Sequence, residues 1–315
     1  MLGRTAGGLF WMFRYLERSE NTARLLETGF RIALTGAQDS DDSEWESIVS
    51  TAGVRPAYVA KFDDDFDQAT VINYLLRDRD NPSSVMSCIE AARSNARMVR
   101  TALSSEVWEA VNEAWMTLKD QMKRPVSMKN LAEVLTSIRQ HSSLVRGALH
   151  GTMLRNDIFD FARLGTYIER ADNTSRILDI KYYVLLPSAA YVGSSMDNAQ
   201  WETILRSVSA FRSFRWLNEG EVTPMAIADF MILDKRMPRS LAFCHSKIVG
   251  NLSYLNHDAD PELPCLTQAS QIHARLSGRD IDSVFDEGLH EFLKSAIADT
   301  GRLAAQIQED FRFYG

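Results

Sequence analysis

The chain has 315 residues, of which 45% are hydrophobic and 24% charged, with a formal net charge of −7. That is the balance of a folded globular protein, and it argues against the basic face that general nucleic-acid or anionic-membrane binding wants. Three widely spaced cysteines, Cys88, Cys244 and Cys265, make no disulfide framework and fit a reducing cytoplasm. No run of 18 uncharged apolar residues offers a membrane span, and Met1-Leu-Gly-Arg-Thr-Ala6 opens no signal-peptide pattern.

In chain order, helix signals dominate. A 3.6-residue period without proline runs from about Thr5 to Leu34. A polar loop, Gln38–Ser43, leads to a short helix from Trp45 to about Ala52. Asp63–Asp65 and Asp67 precede a helix at Ala69–Leu76; a solvated loop with an N-cap is the simpler reading there than a cation site. Pro82-Ser-Ser84 opens a helix to Arg100, and Ser104 and Ser105 cap the next, which Pro125 ends. Ser127 caps another to about Leu149. A long helix spans Asn156–Leu186, stopped by Pro187 and followed by a loop at Ser188–Asn198. Further helices are expected at 199–217, 224–234, 238–255, 266–277 and 281–312. No strand alternation appears, so the expected class is all-α.

The first and the long helix share a motif. Tyr15-Leu-Glu-Arg-Ser-Glu-Asn-Thr-Ala-Arg-Leu-Leu26 recurs as Tyr167-Ile-Glu-Arg-Ala-Asp-Asn-Thr-Ser-Arg-Ile-Leu178, seven of twelve positions being identical. Trp45-Glu-Ser-Ile48 is echoed by Trp201-Glu-Thr-Ile204. Tyr74–Asp78 with Pro82-Ser-Ser84 and Cys88 is echoed by Phe230–Asp234 with Pro238-Arg-Ser240 and Cys244. Glu133–Ser137 and Glu291–Ser295 form a weaker pair. The expectation is one domain built by tandem duplication, with pseudo-repeats 1–150 and 151–315 about a pseudo-two-fold axis. Running the two motif helices antiparallel would set Glu17 near Arg176 and Glu169 near Arg24.

Spacing i, i+4, i+7 lines up Glu17, Asn21 and Arg24 on one helix face, and Glu169, Asn173 and Arg176 on the other. Phe10, Phe13 and Ile32 bracket the first stripe on its own face. Ala162, Ile180 and Val184 bracket the second. A helix that is apolar nearly all round is buried, so both stripes should be buried polar clusters whose charges must be paired. Two readings stand: a structural ion-pair network, or a site with Glu17 and Glu169 as catalytic carboxylates and Arg14, Arg18, Asn21, Arg24, Arg170, Asn173 and Arg176 binding an anionic substrate. Arg239 stands where the first half has Ser83, at an expected helix start. It either binds an anion there, in a site that includes Asp234, or pairs with Asp234 as a structural cap. On the first alternative, Arg239→Ser should leave the fold intact. Arg93, Arg97 and Arg100 share a face that is either a ligand surface or a solvated one.

No metal set is legible: Glu287-Gly-Leu-His290 has the spacing of one di-metal ligand pair, but its companions are missing. Gly-rich phosphate loops and nucleophile elbows are absent too.

The segments Met1–Ala6, Trp11–Leu26, Leu103–Trp108, Phe161–Asp179 and Phe230–Ser240 resemble the bacterial alpha-E family over essentially the whole chain. The resemblance implies an all-helical protein encoded beside, or fused to, a circularly permuted ATP-grasp ligase-like protein, often with a transglutaminase-like thiol peptidase. It further implies a part in peptide ligation or peptide modification, with a peptide or amino-acid substrate. ATP and magnesium then belong on the partner ligase, and this chain carries no cofactor of its own. The alternatives from other classes are an independent enzyme with a glutamate general acid/base, and a purely structural helical scaffold.

Overall fold

Side-chain caps decide where this chain turns into helix. Asp67, Ser84, Ser104, Thr223, Ser240 and Asp280 each accept a hydrogen bond from a backbone N–H three residues on, satisfying a donor the helix itself leaves free. The Asp67 cap matches the reading of its loop as a helix entry. In the computed structural model the backbone is described for residues 1–33, 41–183, 195–218, 222–257 and 261–314. Among these residues there are fifteen helices and no strand.

The first half holds α1 (Gly3–Ala33), α2 (Asp41–Thr51), α3 (Arg55–Phe62), α4 (Gln68–Leu76), α5 (Val85–Met98), α6 (Ser105–Gln121) and α7 (Met128–Thr152). The second holds α8 (Asp157–Tyr183), α9 (Ser195–Ser207), α10 (Phe211–Leu217), α11 (Pro224–Ile232), α12 (Leu241–Leu255), α13 (Pro264–Ser277), α14 (Ile281–Glu287) and α15 (Leu289–Asp310). Helix α3 is absent from the sequence expectation: it is short and starts at Arg55-Pro56, a proline entry that reads equally well as a turn. Two expected helices are each broken in two. The span 199–217 breaks at Ser209, which takes a left-handed conformation, and 281–312 breaks at Gly288, with φ +97°. Of the expected loop Gln38–Ser43, residues up to Ser40 lie outside the described residues, and Asp41–Ser43 are helical, forming the first turn of α2. Pro187, Ser188–Ser194 and the flanking side chains of Ile32 and Val184 lie outside the described residues, and the rest of the expected loop, Ser195–Asn198, is helical and begins α9.

The two motif helices form the centre. α1 packs most extensively on α8 and is flanked by α5 and α7; α8 is flanked in turn by α12 and α15. Phe10, Phe13, Leu16, Ala23, Leu25 and Leu26 are buried on α1, together with Glu17, Asn21 and Arg24. The stretch is buried on most sides, as its composition implies, and only Trp11, Arg14, Tyr15 and Arg18 are partly exposed. The two backbones touch at Gly165, where any Cβ would stand 2.1 Å from the Phe10 carbonyl oxygen.

The expected antiparallel arrangement does not occur. Contacts climb both helices together: Phe10 on Gly165, Arg14 and Arg18 on Glu169, Glu17 on Arg170. α1 and α8 are therefore parallel. Short loops impose antiparallel packing on consecutive helices, whereas six helices separate this pair.

Candidate functional site

Parallel packing brings the two Glu-Arg pairs face to face, and they exchange partners. Arg170 donates from Nε and Nη2 to the two carboxylate oxygens of Glu17, both at 2.9 Å. Arg18 donates to Glu169 from Nε and Nη2, at 2.5 and 3.0 Å, and Arg14 Nε adds a third bond at 2.9 Å. Glu17 thus meets Arg170 rather than Arg176, and Glu169 meets Arg18 and Arg14 rather than Arg24. Fork-to-carboxylate geometry of this kind is the strongest ion pairing available to side chains.

Around this shared centre the two ends differ. On the α1 side, Glu17 and the fully buried Glu20 lie among Arg24, Arg146, Arg170 and Arg239. Arg239, 6% exposed, reaches in from the start of α12. Its Nη1 donates to Glu17 at 3.1 Å and to Asn21 Oδ1 at 3.3 Å, and its Nη2 donates to Glu20 at 2.6 Å. The expected pairing of Arg239 with Asp234 is not formed. Asp234 instead holds the turn before α12, accepting from the backbone of Arg236 and Met237, and it stays out of the cluster. Nor is Arg239 free for a ligand, since its guanidinium is spent on Glu17, Glu20 and Asn21.

On the α8 side, Glu169 and Asp172 lie with Arg14, Arg18 and Arg176, the last donating to Asp172 at 2.7 Å. Here Ser83 stands at the turn that matches Pro238-Arg239-Ser240. The two turns are built alike. Ser84 and Ser240 cap the following helices, and Cys88 and Cys244 each direct a thiol at the carbonyl of Pro82 or Pro238. Where Arg239 fills one end, Ser83 lines a cavity of about 220 Å³ at the other. Arg18, Asn21, Glu169, Asp172, Asn173 and Arg176 line it too, roofed by Thr51–Val54 at the end of α2. Gly53, at φ +74°, lets Arg176 approach: a Cβ there would stand 2.8 Å from the guanidinium.

Three buried polar atoms of this lining have no hydrogen-bond partner: Asn21 Nδ2, Asn173 Nδ2 and Thr51 Oγ1. Asn21 is 3% exposed and Asn173 8%. Native chains rarely leave such groups unsatisfied, and each asks for an explanation. A second cavity, beside His245, Arg275 and Asp299, holds only about 70 Å³ and lies away from both motifs.

Electrostatics limits what the glutamates do. Burial pushes the Glu17 pKa up, but the Arg170, Arg239 and Arg146 guanidiniums outweigh it and hold the carboxyl far below its ordinary value. Burial likewise opposes, and Arg18 and Arg14 overcome, at Glu169, which is held down to about 2. Both are ionised at neutral pH, whereas a general acid or base works best with a pKa near the working pH. Burial drives the Cys88 and Cys244 thiols up to about 12, far from a reactive thiolate.

Of the residues expected at a site, Arg14, Glu17, Arg18, Asn21, Arg24, Glu169, Arg170, Asn173, Arg176 and Arg239 meet along the α1–α8 seam; Asp234 does not. Glu20 and Asp172 belong to the cluster but were not singled out in the sequence, although both stand at the same place in the repeated motif. Arg146, Thr51 and Gly53 carry no signal there. Arg93 bonds Asn112 and covers Trp115, so that face is partly structural. Glu287 and His290 turn to separate partners, Arg279 and Asp179, on either side of the Gly288 break. No group of three metal-ligating side chains occurs among the described residues, and no described helix is long and apolar enough to cross a membrane.

Residues 1–311 match the model of the Alpha-E family, described as a predicted alpha-helical domain with a conserved ER motif. Glu17-Arg18 and Glu169-Arg170 are such dipeptides. Uncharacterised proteins of Mycobacterium bovis and Mycobacterium tuberculosis are 25% identical over 314 residues, covering 94% of this chain and 35% of theirs. The chain thus spans about a third of the length of those relatives. No solved structure matches it. With a matching model over nearly its whole length and two Glu-Arg pairs interlocked at its centre, the chain belongs to the Alpha-E family.

Proposed function

We propose that this chain is the substrate-presenting partner of an ATP-grasp-type amide ligase in a peptide-ligation or peptide-modification system, and that the cavity beside Glu169 holds the peptide or amino-acid group. One observation carries the reading: a cavity reaches both motifs and is lined by buried amides and a hydroxyl without partners. A packed ion-pair scaffold has no need of them. The family resemblance supplies the partner, with ATP and magnesium on the ligase and a transglutaminase-like protein in the same system. The greater length of the mycobacterial relatives fits a domain that works within a larger assembly. Ligases of this type form acyl-phosphates, which water destroys, and a helical partner over the active site would exclude it.

On the same reading, the reciprocal Glu17–Arg170 and Glu169–Arg18 pairs and the matching turns at Pro82 and Pro238 reflect a tandem duplication about a pseudo-two-fold axis parallel to α1 and α8. The role of an independent acid/base enzyme fits less well, because both glutamates stay ionised between arginines. The test is co-expression of the tagged full chain with the ATP-grasp protein of the same genome. A complex is expected, alone or with ATP and substrate peptide. No complex under any of these conditions overturns the proposal.

A further inference from the structure

The cavity at the α8 end is the place that Arg239 fills at the α1 end, and its lining states what it lacks. Asn21 spans the two. A guanidinium only donates, so the amide end that meets Arg239 must be the oxygen, Oδ1. The other end is then Nδ2, a donor, and it has no partner. Arg239 thereby fixes Asn21 as a donor toward the seam. Thr51 adds a hydroxyl without a partner, and Asn173 a second amide. Of the charged side chains that line the cavity, Arg18 pairs with Glu169, which Arg14 also holds from outside the lining, and Arg176 pairs with Asp172. Unsatisfied donors call for an acceptor, and with Glu169 already neutralised by two guanidiniums a carboxylate, two acceptor oxygens on a single negative charge, suits them. A phosphate dianion would meet Glu169 and Asp172 at close range and be repelled. A space of about 220 Å³ holds one residue, not an extended peptide.

We propose that this cavity binds the carboxylate of a single amino acid or of a peptide C-terminus, with Asn21 Nδ2, Thr51 Oγ1 and the Arg18 guanidinium as its donors. Arg239 is a positioning residue that sets the Asn21 amide. Ser83 is what keeps the space open. The inference rests on the reading of this cavity as the substrate site, but it concerns the isolated chain and does not need the ligase.

The test is calorimetric titration of the purified full chain with N-acetyl-L-alanine, L-alanine, L-alanine amide and inorganic phosphate. N-acetyl-L-alanine, L-alanine or both are expected to bind one per chain. The tighter of the two identifies a peptide terminus or a free amino acid as the source. Asn21→Ala should weaken binding roughly tenfold or more, the effect of one lost hydrogen bond to a charged group. Ser83→Arg, which copies the other turn, should abolish binding while leaving the circular dichroism and melting temperature near those of the parent. Thr51→Val keeps the shape, removes a donor, and carries the test if Asn21→Ala does not fold. Tighter binding of alanine amide or of phosphate, no binding of any probe, or unchanged binding in a folded Ser83→Arg overturns the proposal. Binding of a carboxylate without a ligase complex would leave this inference standing and the proposed partnership not; a complex without carboxylate binding would do the reverse.

Discussion

The two ends of the α1–α8 seam start from the same motif and finish differently. At the α1 end, Glu17 and Glu20 are closed in by Arg239 and Arg146; at the α8 end, Glu169 and Asp172 border a cavity lined by Ser83. One side chain at matching turns accounts for much of the difference. A guanidinium that reaches two carboxylates and an amide fills its end. A hydroxymethyl group cannot, and buried polar atoms are left beside open space. A sealed ion cluster stabilises by mutual satisfaction of its members, while an open one keeps donors available, and this pair holds one of each.

The largest expected effect tests the sealed end. Glu17→Ala leaves Arg170 without its carboxylate and takes from Arg239 and Arg146 one of the two they share, and should cost about 3–5 kcal/mol in urea unfolding. Glu169→Ala should cost less, about 1–3 kcal/mol, because water entering the cavity can solvate Arg18. Equal losses would erase the distinction between the ends.

Arg239→Ser comes next. The sequence alone points to a tolerated change, since Ser83 is the other turn's own choice. The contacts of Arg239 with Glu17, Glu20 and Asn21 reverse that expectation: about 1.5–3 kcal/mol should be lost, moderated because Arg24 and Arg146 still face Glu20. An unchanged melting temperature would mean that Arg239 is not part of the seal.

Acid should erode both ends. Glu169 has its folded pKa depressed from 4.5 to about 2, and Glu17 is shifted in the same direction. A depressed carboxylate contributes stability that is present above its unfolded pKa and is lost as pH falls through the folded one. The urea midpoint should therefore fall between about pH 4.5 and 2, and Glu169→Gln should flatten part of that slope. A midpoint that rises on acidification in this window would contradict the assignment.

The smallest effect sharpens the comparison from the open side. Ser83→Arg should change stability by no more than about 1 kcal/mol, because the new guanidinium trades side-chain entropy for contact with Asp172 and Glu169. A loss as large as that of Glu17→Ala would show that the two turns are not interchangeable.

Much of this architecture was legible in the chain. Period and capping residues identify the all-helical class and place most helices within a few residues, because these signals are local. A polar stripe on a helix apolar all round identifies Glu17, Asn21 and Arg24, and their counterparts, as buried. Ser209 in a left-handed conformation and Gly288 at φ +97° break helices at points where the composition alone permits continuation.

Local chemistry thus settled which residues are helical, which are buried and which charges need a partner. Which charge meets which was decided only when α1 and α8 packed parallel, with Gly165 against Phe10, since ion-pair choice depends on the relative direction of helices far apart in sequence. The fate of Arg239, the reach of Arg146 from α7 and the cavity under Thr51–Val54 were settled the same way. Each requires three separate segments to converge, and no local periodicity encodes a convergence.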